Sequence, residues 1–169
     1  MTTNLSGPRI PEDPDPRFWL GVFLPTAAAF LGALTVVAGW SLRLPADVAQ
    51  QWNWSTREVT TVSPLWLSVL SLAAPAAAVL FVLAVLKWSG RLTGWGRRLS
   101  VALLAGVAFF LAAALPAMLS GQVGLADPLQ APDPRSSTAL AGLLSLAYGL
   151  LAALVAGGRP LAAGDSAVP

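Results

Sequence analysis

The stretch Leu65–Leu86, LWLSVLSLAAPAAAVLFVLAVL, contains 22 residues and no charged side chain. An α-helix needs about 20 predominantly apolar residues to cross the roughly 30 Å hydrocarbon core of a bilayer. Over the whole chain of 169 residues, 56% are apolar and 11% charged, whereas an ordinary soluble domain carries about 25% charged residues. The stretch therefore predicts a transmembrane helix in a membrane protein.

Three further apolar runs of similar length also lack charged residues. Together the four runs predict spans at about 18–40, 65–86, 99–119 and 138–156. We expect an all-α membrane protein, with residues 18–156 forming one four-helix transmembrane antiparallel bundle. The tails 1–17 and 157–169 are polar or rich in Pro, Gly and Ala, which predicts disordered cytoplasmic segments.

The distribution of basic residues predicts the orientation of the bundle. Seven of the ten lie in the two tails and the loop between spans two and three, and three lie in the other two loops. Because loops rich in Lys and Arg stay on the cytoplasmic side, we expect both termini in the cytoplasm. Nine of the ten are Arg, which with the Ala-rich spans is typical of a bacterial sequence and predicts a bacterial cytoplasmic membrane.

The loop between spans two and three concentrates four of these cations. They indicate an anchor on anionic lipid, with docking of a soluble regulator as the alternative. In a membrane protein of this pattern the net charge of +2 points to a lipid partner and not to nucleic acid. The four residues are Lys87, Arg91, Arg97 and Arg98.

The composition also excludes several chemistries. The chain contains no His and no Cys, so it has neither a disulfide framework nor a Cys/His metal site. No Asp, Glu, Lys, Arg or His side chain falls inside the predicted spans, which argues against proton-coupled transport. Since no nucleophile and base can be paired in the spans, we expect no enzyme, no catalytic residues and no cofactor.

Small residues recur at four-residue spacing along the fourth span and line one helix face. Such a stripe allows two helix backbones to approach closely. We predict that it is a packing interface, either inside the bundle or, as the alternative, against a partner or a second copy. Its members are Ala141, Ser145, Gly149 and Ala153.

The first outer loop, residues 41–63, is longer than the 12–15 residues that unstructured connections seldom exceed. Leu44, Val48 and Trp52 recur at four-residue spacing, which predicts a short amphipathic surface helix in this extracytoplasmic loop. The β-branched run of residues 58–62, EVTTV, is also suited to strand pairing. The loop either caps the bundle or recognises a ligand, with Asp47, Gln51, Trp52 and Asn53 as candidate recognition residues.

The segment LPADVAQQWN, residues 44–53, follows the first predicted span directly. It resembles the L-P-x-x-V-x-x-H-W-N signature of a bacterial membrane domain of unknown function that begins SdpI-type immunity and signalling proteins. Gln51 stands where that family usually has His, and residues 55–58, STRE, replace its Gly and Asp turn. The matching residues are Leu44, Pro45, Val48, Trp52 and Asn53.

The resemblance implies a non-enzymatic membrane protein whose outer loop faces a toxic peptide or an envelope signal. SdpI-type members also hold a cytoplasmic repressor at the membrane, but this chain lacks the further helices of those longer proteins. The alternative function is a structural accessory subunit of a larger membrane complex, either a transporter or a respiratory assembly.

Overall fold

The computed structural model describes residues 16–89 and 94–156. In this part of the chain four helices are long and apolar enough to cross a membrane. The prediction of four spans is confirmed, and the helix ends differ from the predicted ends by no more than five residues. The helices are α1 (Pro16–Trp40), α2 (Leu65–Trp88), α3 (Gly94–Leu119) and α4 (Arg135–Ala156).

Two short 3-10 turns, Ser120–Gln122 and Pro128–Gln130, lie between α3 and α4. The predicted tails fall outside the described residues, except that Pro16 and Arg17 begin α1.

The third helix is the centre of the bundle. It packs against α1, α2 and α4, whereas α1 and α2 share only a narrow contact. Two buried clusters result. One, around Phe18 and Leu83, lies at the end of the bundle where α1 begins and α4 ends, and the other, around Val37 and Leu119, lies at the opposite end. Large side chains that face away from the bundle, as lipid-facing residues do, lie on every helix, for example Leu31, Phe81, Leu103 and Leu154.

The helices α3 and α4 cross with their backbones in contact. A Cβ atom on Gly149 would lie 2.6 Å from the carbonyl oxygen of Ala102, and one on Gly106 would lie 3.2 Å from that of Ser145. Glycine at both positions permits this approach, since any side chain would separate the helices.

Hydroxyl groups join α1 to α4 inside the bundle. A π-helical turn, Trp19–Phe23, precedes Pro25 in α1. The Val22 carbonyl accepts hydrogen bonds from the Thr26 hydroxyl at 2.6 Å and from the Tyr148 hydroxyl of α4 at 3.0 Å. Membrane helices tolerate such irregular turns because neighbouring side chains satisfy the freed backbone groups.

The first loop forms a β-hairpin, so the predicted amphipathic surface helix is wrong. Strand β1 (Asp47–Trp52) pairs antiparallel with β2 (Val59–Pro64), and the register shifts near Gln51. A two-turn helix is far shorter than the roughly 12–15 residues that an isolated helix needs to be even marginally stable. The β-branched residues of β2 instead offer β1 a local hydrogen-bonding partner.

Candidate functional site

The hairpin is fastened to the bundle by a buried amide. Gln122, which follows α3, is fully buried. Its Oε1 accepts a hydrogen bond from the Ala49 N–H at 2.8 Å, and its Nε2 donates to the Ala49 carbonyl at 3.1 Å. The Nε2 group also donates to the Met118 carbonyl at 3.2 Å. Gln122 therefore satisfies, on the outer edge of β1, the two backbone groups that a third strand would satisfy.

Two further hydrogen bonds join the first loop, which contains the hairpin, to the connection between α3 and α4. The Trp52 indole N–H donates to the Ala131 carbonyl at 3.1 Å. The Gly124 N–H donates to the Arg43 carbonyl at 2.7 Å, next to the hairpin. The loop between α1 and α2 and the connection between α3 and α4 thus form one cap on the bundle, held together by hydrogen bonds.

The turn between the strands, residues 53–58, is ordered by Asn53. The Asn53 Oδ1 atom accepts hydrogen bonds from the Ser55 N–H at 2.8 Å and from the Thr56 N–H at 3.2 Å. The Asn53 N–H donates to the Glu58 carbonyl at 2.8 Å, and Arg57 takes a left-handed conformation with φ of 62°. These contacts give the turn one defined shape.

The tip of this turn presents an aromatic side chain to the surroundings. Trp54 is 84% exposed, and the Arg135 guanidinium lies 4.4 Å from the centre of its ring. Arg135 also forms an ion pair with Asp133 at 3.0 Å and donates to the Asn53 carbonyl at 3.0 Å. Arg135 therefore contacts one face of the Trp54 ring, and the other face remains open. The neighbouring Arg57 and Glu58 are also exposed.

The four candidate recognition residues do not share one surface. Asp47 and Gln51 are exposed, and the Gln51 Oε1 accepts from the Thr61 hydroxyl at 3.1 Å. Trp52 is half-buried in its bond to Ala131, and the Asn53 side chain is engaged within the turn. No local pattern in the sequence singles out Trp54, because its position depends on Arg135, which lies 81 residues later in the chain.

A cavity of about 150 Å³ lies beneath the hairpin, between β1, α2 and α3. On its polar side the Gln50 Nε2 donates to the Ser68 hydroxyl at 2.8 Å, and the Ser71 hydroxyl donates to the Ser68 carbonyl at 2.8 Å. The side chains that line it combine amides and hydroxyls with leucine and methionine: Ala49, Gln50, Gln51, Ser68, Ser71, Leu72, Leu115, Met118 and Leu119.

The predicted packing stripe lies along α4. Ala141, Ser145 and Gly149 are buried and Ala153 is partly buried, with Gly149 directly against α3. The stripe is thus occupied within this chain over most of its length.

The predicted lipid anchor lies at the opposite end of the bundle from the hairpin. The Lys87 Nζ atom is 5.5 Å from the centre of the Phe18 ring. Arg97 and Arg98 lie near the start of α3, and Arg91 lies outside the described residues. Over residues 16–89 and 94–156, no group of three Asp or Glu side chains is arranged to hold a metal ion.

Comparison of the chain with known protein families, curated proteins and solved structures found no match. The class of the protein is therefore defined by its fold alone. Its four helices are long and apolar enough to cross a membrane, which is consistent with a multi-pass membrane protein, and a β-hairpin lies at one end of the bundle.

Proposed function

We propose that the protein is a non-enzymatic membrane protein that recognises a peptide or a partner protein through its hairpin, in the manner of SdpI-type immunity or signalling proteins. In this proposal it spans a bacterial cytoplasmic membrane with both termini inside, and the hairpin faces outward. The distribution of basic residues supports this orientation. Lys87, Arg97 and Arg98 then contact anionic lipid on the cytoplasmic side.

The observation that carries the proposal is the ordered, exposed tip of the hairpin. Trp and Arg are the residues that most often dominate binding energy at protein interfaces. Here Trp54, Arg57 and Glu58 stand together on a turn that Asn53 and Arg135 hold in place. Because the turn is already ordered, a partner pays little conformational entropy to bind it.

A hairpin that only capped the bundle would not need this tip. The capping contacts are made by Val48, Ala49 and Trp52, which point to the bundle or bond to it. At the tip, Asn53 and Trp54 also contact Arg135 at the start of α4, whereas Arg57, Glu58 and most of the Trp54 surface are exposed to solvent. We therefore assign recognition to the tip and capping to the strands.

The test is complementation of a strain in which the gene has been deleted. We expect the deletion strain to become sensitive to peptides in conditioned culture medium, and wild-type protein to restore resistance. The double variant Trp54→Ala with Arg57→Ala should fail to restore it at equal protein level. Trp88→Ala is the matched control, because Trp88 is 89% exposed at the other end of the bundle. Full restoration by the tip variant would show that the hairpin is only a cap.

The alternative proposal, an accessory subunit of a transporter or respiratory complex, rests on a different surface. The outward side of α4 carries a broad set of exposed leucines that another membrane protein could cover, among them Leu143, Leu146, Leu150 and Leu154. Purification in a mild detergent followed by mass analysis distinguishes the two proposals. A stoichiometric membrane-protein partner that is lost on Leu146→Trp, while the hairpin variants keep it, would favour the accessory role.

A further inference from the structure

The cavity beneath the hairpin is the right size for a small chemical group. Its volume is about 150 Å³, and it is partly open to the surroundings. Pockets that enclose drug-sized ligands measure roughly 300–1,000 Å³. The cavity therefore suits the head group of a small amphiphile and is too small for a peptide.

The lining of the cavity is polar on one side and apolar on the other. The amide of Gln50 and the hydroxyls of Ser68 and Ser71 lie on the polar side, and the apolar side includes Leu115 and Met118. The Gln50 amide nitrogen is already bonded to Ser68. Its carbonyl oxygen accepts no hydrogen bond from the residues that the structure describes, so it can accept one from a ligand.

No residue that lines the cavity is charged. A phosphate or ammonium group that entered it would lose hydration without gaining an opposite charge, which is unfavourable. A hydroxyl group can donate to the Gln50 carbonyl oxygen and so replace a hydrogen bond that it loses from water. The lining therefore selects an uncharged head group that carries a hydroxyl.

The position of the cavity places it at the edge of the bilayer. Ser68 and Ser71 lie in the first two turns of α2, and Met118 lies in the last turn of α3, so the cavity is close to the ends of both spans. Ser71 is exposed, and so are Pro75, Ala78 and Val82, which follow it on the same face of α2 toward the middle of the span. A head group seated beside Ser71 can thus leave its acyl chains along the apolar outer side of α2.

We propose that this cavity binds the neutral, hydroxyl-bearing head group of a membrane lipid, of which diacylglycerol is the simplest example. The Gln50 carbonyl oxygen accepts from the lipid hydroxyl, next to Ser71 on the exposed side of the cavity. The Ser68 hydroxyl holds the Gln50 amide in place and is itself engaged with Gln50, Ser63 and Pro64. The site is separate from the hairpin tip and does not depend on the proposed recognition function.

The test is photo-crosslinking of the full chain in nanodiscs of phosphatidylcholine. The probe is a diacylglycerol with a diazirine near the top of one acyl chain, and adducts are located by peptide mass mapping. We expect adducts concentrated on the ends of α2 and α3 that line the cavity, near Leu72 and Met118. Unlabelled dioleoylglycerol should compete with the probe, whereas free glycerol and dioleoylphosphatidylglycerol should not.

Two matched substitutions separate a site from general contact with lipid. Ser71→Phe fills the mouth of the cavity and should lower the labelling several-fold. Ser120→Phe is the control, because Ser120 is also exposed at this end of the bundle and also donates to the carbonyl three residues before it. Labelling that spreads evenly over the helices, equal loss in both variants, or competition by glycerol or phosphatidylglycerol would overturn the proposal. If Ser71→Phe does not fold, the competition experiment on the wild-type protein decides.

Discussion

The side-chain amide of Gln122 bonds to both the N–H and the carbonyl of Ala49, a residue 73 positions earlier in the chain. An exposed strand edge leaves a row of backbone donors and acceptors without partners, and proteins protect such edges. In this chain Gln122 bonds to the N–H and the carbonyl of Ala49 on the outer edge of β1, where that strand is buried. The hairpin therefore depends on the end of α3 for its stability.

Substitution of Gln122 tests this dependence. We expect Gln122→Leu to lower the free energy of unfolding by about 2–4 kcal/mol, because its three hydrogen bonds are lost and the buried N–H and carbonyl of Ala49 are left unsatisfied. The measurement is unfolding in mixed detergent and denaturing micelles. Gln130→Leu serves as the control, since Gln130 is an exposed glutamine of the same connection. Equal stability of both variants would contradict the role of the amide.

The crossing of α3 and α4 gives a second prediction. Gly149→Ala should destabilise the protein by about 1–3 kcal/mol, because the new Cβ would press on the Ala102 carbonyl and push the helices apart. Gly32→Ala should be neutral or stabilising by about 0.5–1 kcal/mol, because alanine is the better helix former and nothing lies within 4 Å of its Cβ. Thermal unfolding in detergent compares the two. A loss in Gly32→Ala as large as in Gly149→Ala would show that the close crossing is not the cause.

The hydroxyl contacts between α1 and α4 give a third prediction. The hydroxyls of Tyr148 and Thr26 both donate to the Val22 carbonyl, and their oxygen atoms lie 2.8 Å apart. A double-mutant cycle with Tyr148→Phe and Thr26→Val should give a coupling free energy of about 0.6 kcal/mol and at most about 1.7 kcal/mol, as for other hydrogen bonds between membrane helices. Strictly additive effects on the free energy of unfolding would mean that the two hydroxyls act independently.

Orientation in the membrane can be measured directly because the chain has no native Cys. With both termini in the cytoplasm, Ser55→Cys and Gln130→Cys should react with an impermeant maleimide on intact cells. Ser89→Cys, which follows α2 at the other end of the bundle, should react only after lysis. The reverse pattern would invert the orientation and move the hairpin to the cytoplasmic side.

The four helices were predictable because each depends on a property of its own residues. A run such as Leu65–Leu86 has no state in water or lipid that suits it better than a spanning helix. The ends were less well predicted at α3, which begins five residues before the predicted start at Leu99. The charges of Arg97 and Arg98 mark the end of the apolar run there, but they do not end the helix.

The hairpin was not predictable from local spacing. The recurrence of Leu44, Val48 and Trp52 fits a helix, but the structure places all three residues against the bundle through a strand and its preceding turn. The deciding contacts come from Gln122 and Ala131, which no local pattern connects to β1. The one useful local signal was the β-branched run within residues 58–62, of which residues 59–62 lie in the second strand.

The central position of α3 has a consequence for how the protein is made. Helices emerge from the ribosome and enter the membrane in order, so α1 and α2 reach the bilayer before their common neighbour exists. Because α1 and α2 share little surface with each other, we expect them to remain unpacked until α3 is inserted and packs against both. The hairpin also lacks its hydrogen bonds to the bundle until then, since Gln122 is synthesised only after the third helix.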